Sequence, residues 1–200
     1  MKNSNTPPFF LLISRIQVML IALFAFTTIS QAVKAQPIFT RTTFNDTYTP
    51  ISIAGGATSS IATGDNANET AIPIGFSFDY AGTIYTTLGL STNGVAWFDA
   101  IAPATTVGNV NMVTTNGPNQ SLAPWFNNLI DDVSSDILYQ TQGSPGSMTF
   151  TIQYTNYPTF TGTPGSNVRM NCQVILYETT NVIEFRYGTL NVIGAQTTSG

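Results

Sequence analysis

From Ile72 to Tyr80 apolar and polar residues alternate without a break: Ile72, Ile74, Phe76, Phe78 and Tyr80 take one side, Pro73, Gly75, Ser77 and Asp79 the other. A two-residue period of this length constrains the chain to a strand with one face buried. Ala81-Gly82 then turns the chain into a second run, Thr83 to Leu90, and Asn93-Gly94 turns it into a third, Gly94 to Phe98. Such pairs favour tight reversals because glycine, and asparagine to a lesser degree, tolerate a positive φ. The stretch from Ile72 to Phe98 therefore reads as consecutive strands.

The rest of the chain keeps this grammar. Ser147 to Thr155 alternates strictly, with Met148, Phe150, Ile152 and Tyr154 on one side, and Ile38 to Phe44, Tyr48 to Ile53 and Asp136 to Thr141 add further short strands. Apart from a turn around Trp125 to Ile130, nothing in the body of the chain carries a helical period. Many short strands between turn residues point to an all-β fold, an antiparallel β-sandwich, with a barrel as the alternative. Three stretches read as long loops, Ala54 to Thr70, Ala100 to Ser121 and Thr159 to Ser166, and loops of this length in a compact domain are functional or mobile.

The register of one hairpin can be read directly. If Val168 to Glu178 and Asn181 to Tyr187 close at Thr179-Thr180, then Leu176 faces Ile183, Val174 faces Phe185 and Cys172 faces Tyr187, while Gln173 opposes Arg186 and Ile175 opposes Glu184. A slip of one residue would mix the faces, so the pattern selects this pairing. It also places Cys172, the single cysteine, in the core. No intrachain disulfide can then staple the fold, and a buried lone thiol packs as a small hydrophobe.

The start of the chain sets the compartment. Lys2 and Arg15 precede an apolar run, Ile16 to Ile29, and Val33-Lys34-Ala35 offers a small-residue cleavage site. This reads as a secretory signal peptide over residues 1–35, the run being too short and too polar at its end for a membrane span. The mature chain, Gln36 to Gly200, is 165 residues long, enough for one domain with a real core. It keeps three arginines against ten acidic residues, a net charge of −7 that would repel phosphate backbones, so nucleic acid is excluded as a partner.

Three ordered blocks add a resemblance. Ile72-Pro-Ile-Gly-Phe-Ser-Phe through Ser91-Thr-Asn-Gly-Val-Ala-Trp-Phe, then Leu122-Ala-Pro-Trp-Phe-Asn-Asn-Leu, then Cys172-Gln-Val-Ile-Leu-Tyr-Glu-Thr-Thr-Asn-Val-Ile-Glu-Phe-Arg-Tyr-Gly together resemble the nidogen-like β-domain found near the amino terminus of secreted and surface proteins of Bacteroidota. The resemblance covers Ile72 to Thr198. It implies a domain over residues 72–200, led into by strands and a loop over residues 36–71, with an extracellular interaction or architectural role and no catalytic residues to carry over. In that family further strands, fibronectin type III or other modules and a type IX secretion sorting domain follow. The expectation is therefore of an incomplete domain with an open, pairing-prone edge.

Chemistry has few footholds. There is no histidine, which removes Ser-His-Asp and Cys-His arrangements and His-ligated zinc. Paired carboxylates for glycoside cleavage would come from Asp79, Asp99, Asp131, Asp132, Asp136, Glu178 and Glu184. The hairpin register puts Glu178 and Glu184 on opposite faces, so that pair fails. Asp131, Asp132 and Asp136, helped by Asn127 and Asn128, offer hard oxygen ligands for Ca²⁺ in one loop. The spacing is not that of an EF-hand, and the competing reading is an acidic turn in solvent. Trp97 and Trp125 are either sugar-stacking platforms or core, with core favoured by their apolar context. Asn45, Asn68 and Asn119 begin glycosylation sequons, which in a bacterial chain mean only loop and strand-edge composition.

The expected function is a secreted or cell-surface, non-enzymatic adhesion or interaction domain whose loops recognise an extracellular protein or glycan. One alternative is a carbohydrate-binding accessory domain of a secreted enzyme; a second is a hydrolase in its own right.

Overall fold

The computed structural model describes residues 39–98, 120–159 and 168–192. The expected signal peptide, most of the two longer loops after Phe98 and Pro158, and the segment 193–200 lie outside the described residues. Thr40–Gly200 forms one compact unit.

Ten strands follow one another among the described residues: β1 (Thr58–Ser59), β2 (Asn68–Tyr80), β3 (Thr83–Ser91), β4 (Val95–Trp97), β5 (Ser121–Leu122), β6 (Asp136–Gln142), β7 (Thr149–Pro158), β8 (Val168–Tyr177), β9 (Ile183–Tyr187) and β10 (Asn191–Val192). They form two antiparallel sheets. One runs β2-β3-β4-β5; the other runs β1-β6-β7-β8, with β9 and then β10 pairing the far edge of β8. This is the β-sandwich that the alternation implied.

The core lies between the sheets and takes the residues that the two-residue period selects. Ile72, Ile74, Phe76 and Phe78 of β2 pack with Leu88 and Leu90 of β3 against Phe150, Ile152 and Tyr154 of β7 and Cys172, Val174 and Leu176 of β8. The hairpin register is as read: Cys172 opposes Tyr187, Val174 opposes Phe185 and Leu176 opposes Ile183. Cys172 is fully buried, and burial pushes its thiol up to about 12. Side-chain bonds also tie the sheets together. The Tyr154 hydroxyl donates to the Ser91 carbonyl at 2.8 Å, and the Thr141 hydroxyl donates to the Ile74 carbonyl at 2.8 Å. Glu69 of β2 accepts from Ser60 and from the Tyr139 hydroxyl of β6.

One segment departs from the expected strands, and one expected turn has a structural role. Residues 39–52 form no strand; the segment 48–55 runs across the outer face of the larger sheet instead of joining its ladder, and ends in a short 3-10 turn over Ile53–Gly55 capped by Ser52. The Ser91 to Gly94 turn is fully buried. Asn93 accepts from the Leu129 N–H at 2.8 Å and donates to Asn66 at 2.8 Å, and its carbonyl accepts from the Asn127 N–H, so the turn pins the chain on both sides of it.

Candidate functional site

The outer face of the larger sheet is built from the residues that alternation leaves on the side away from the core. The register brings Gln153 opposite Gln173, Gln140 opposite Thr151, Thr151 opposite Ile175, and Gln142 opposite Thr149, which in turn opposes Tyr177. A half-buried sheet would show these to water. Here Gln153 and Gln173 are each 1% exposed, because the segment 48–55 straps across them.

Glutamine amides hold the strap by its backbone. Gln153 receives the Ile51 N–H at 2.8 Å and donates to the Ile51 carbonyl at 3.1 Å. Gln173 donates to the Thr49 carbonyl and to Gln153, both at 2.8 Å, and Gln140 donates to the Gly55 carbonyl at 2.6 Å. Buried amides left unmatched would cost about 1–3 kcal/mol each, so this matching is what makes the covered polar face tolerable.

Beside the strap lies a cleft of about 300 Å³. Thr49 to Ser52 and Gly55 form one wall; Gln140, Gln142, Thr149, Thr151, Ile175 and Tyr177 line its floor and far side, with Gln173 and Arg186 at one end. Its charges are spent internally. Glu184 accepts from the Tyr177 hydroxyl and pairs with Arg186, which also reaches Asp46 at 2.9 Å. Among the described residues Gln142, Thr149 and Thr151 make no side-chain hydrogen bond, so the cleft holds amide and hydroxyl groups ready for a partner and no free ion pair.

The residues singled out by sequence go elsewhere. Trp97 is 1% exposed, packed on the outer side of the smaller sheet beneath Ala123 and Phe126, so its ring has no face to offer a sugar. It lies over Gly89, where a Cβ would overlap the indole. Trp125 is half-buried against the main core and is no part of the cleft.

The three aspartates of the proposed calcium loop have three separate engagements. Asp131 accepts from the Gly64 N–H, Asp136 accepts from the Ser59 hydroxyl at 2.7 Å, and Asp132 pairs with Arg169. The Arg169 guanidinium, with help from Ser134, holds the Asp132 carboxyl well below the usual carboxylate range. No group of three or more Asp, Glu or Cys side chains among the described residues is arranged to hold a metal ion. A Ca²⁺ ion bound by all three would have to take Asp132 from a buried guanidinium.

Of the other candidate carboxylates, Glu178 accepts from the Gly146 and Met148 N–H groups and Asp79 from that of Gly82, while Asp99 lies outside the described residues. What sequence reading missed is the set Gln140, Gln142, Gln153 and Gln173. A signal for it existed, since glutamine recurs on one face of three consecutive strands.

Against this geometry a family model described as NIDO related matches residues 38–200, strap and cleft included. The chain belongs to the NIDO-related family. Comparison with curated proteins and with solved structures returns no significant match. In this NIDO-related chain no helix among the described residues is long and apolar enough to cross a membrane.

Proposed function

We propose that this chain is a secreted or surface-displayed, non-enzymatic interaction domain, and that the cleft between the strap and the outer face of the larger sheet is where it meets its partner. The observation that carries the reading is the row Gln142, Thr149 and Thr151, hydrogen-bonding groups without side-chain partners among the described residues, on a face where the neighbouring amides are matched. Membership of a nidogen-related family supports an extracellular interaction role. The absence of histidine and the engagement of Glu178, Glu184, Asp79 and Asp132 in structural bonds support a binding role over a hydrolytic one.

The test is to immobilise the full chain and measure retention of extracellular proteins and of arrayed glycans, beside a Thr149→Trp variant that fills the cleft. Partner binding lost in that variant at an unchanged melting temperature supports the reading. Binding that persists moves the site elsewhere. A glycan retained by Thr149→Trp and lost on Trp125→Ala would favour a carbohydrate-binding accessory role instead.

A further inference from the structure

Resting on the cleft as the recognition site, we infer that its ligand is an extended, uncharged stretch of polypeptide, read through its backbone by side-chain amides. The strap shows how this face treats such a chain. Its hydrogen bonds to Gln140, Gln153 and Gln173 all go to main-chain groups of Thr49, Ile51 and Gly55. The pair between Gln153 and Ile51 reproduces the donor-acceptor couple of a β-ladder, with a glutamine amide standing where a neighbouring strand's peptide group would be.

The same device continues into the cleft. Gln142 lies two residues beyond Gln140 on β6 and so on the same face, opposite Thr149, with Tyr177 on the far side of Thr149. It is exposed and its side-chain amide has no hydrogen-bond partner among the described residues, so it offers a passing chain the amide pair that Gln153 offers Ile51. The Thr149 and Thr151 hydroxyls add donors for carbonyls.

Electrostatics narrows the class. Arg186 is held by both Glu184 and Asp46, which leaves no unengaged cation for a carboxylate or phosphate, and the one net negative charge of the three groups disfavours an anionic ligand further. The aromatic side chain lining the cleft is Tyr177, whose hydroxyl is bound to Glu184, and neither tryptophan reaches it. A pyranose therefore lacks the flat platform that its apolar face prefers. An extended chain needs only alternating donors and acceptors, as in other strand-addition modes of peptide recognition.

The probe is a capped, fluorescein-labelled peptide with the uncharged sequence Thr47–Gly55, titrated into the full chain and followed by anisotropy. Saturable binding is expected. A scrambled peptide of the same composition should bind comparably, and a copy N-methylated at the positions of Ile51 and Ile53 should not, since it keeps the side chains and loses the N–H groups. Gln142→Leu should weaken binding about tenfold with an unchanged melting temperature, one lost hydrogen-bonding group being worth about 1.4 kcal/mol. No saturation at millimolar peptide, or binding indifferent to N-methylation, overturns the inference. An oligosaccharide whose binding is lost in Thr149→Trp overturns it too, while leaving the cleft as the recognition site. Partner binding indifferent to Thr149→Trp would sink the site itself.

Discussion

Gln153 grips Ile51 by both ends of its amide, receiving the Ile51 N–H at 2.8 Å and donating to the Ile51 carbonyl at 3.1 Å across 102 residues of sequence. The remaining capacity of the amide goes to Gln173 and Thr155, so the side chain makes all four hydrogen bonds it can at 1% exposure.

Gln153→Leu keeps the volume and removes the rung. It strands the Ile51 N–H and the Gln173 amide, and the expected loss is about 2–3 kcal/mol in denaturant unfolding, from about 1–3 kcal/mol per unmatched buried group. Hydrogen exchange should also speed up at Ile51 while amides of β7 and β8 stay protected. An unchanged midpoint would mean that the strap adds nothing to the fold.

The pairing of Asp132 with Arg169 makes a pH signature. The carboxyl is held low in the folded state by the guanidinium bonds, so its contribution is fully present above the ordinary carboxylate pKa of about 3.9 and is lost as pH falls through the depressed value. Unfolding free energy should therefore decline below about pH 4, and the decline should be shallower in Asp132→Asn. Equal slopes in the two proteins would count against the pair as a source of acid lability.

Cys172 gives a clean reporter of opening. Full burial and a thiol pushed up to about 12 leave almost no accessible thiolate at neutral pH. A thiol reagent at pH 8 should label the native chain only at the rate of unfolding and label it at once in denaturant. Rapid labelling of the folded chain would show that the β8 face opens locally.

The sandwich and the β8-β9 register were legible because each rests on a two-residue period that any other pairing would scramble, as the facing of Cys172 with Tyr187 shows. The strap was not, because its cause is distributed: Tyr48 to Ile53 has the look of a strand, and only the glutamines of three distant strands decide that it lies across the sheet instead of in it. The aspartate cluster misled for a related reason. Spacing brings Asp131, Asp132 and Asp136 together along the chain, but Arg169, remote in sequence, takes the middle one. Trp97 was ambiguous in sequence because its cover, Ala123 and Phe126, follows a long intervening segment.

Two glycines in turns of the same meander separate backbone strain from crowding. Gly82 has a φ of +82° with open space around it, and Gly94 a φ of +71° where a Cβ would overlap the Trp125 carbonyl. Both alanine variants carry the left-handed penalty of about 1–2 kcal/mol. Gly82→Ala should cost that and no more. Gly94→Ala must in addition push the Trp125 to Leu129 segment off the buried Asn93 turn, breaking the bond from the Leu129 N–H to Asn93, so its cost should exceed that of Gly82→Ala by about 1–3 kcal/mol. Urea midpoints of the two variants check this directly, and equal midpoints would show that the segment yields freely, contrary to the packing that buries Asn93.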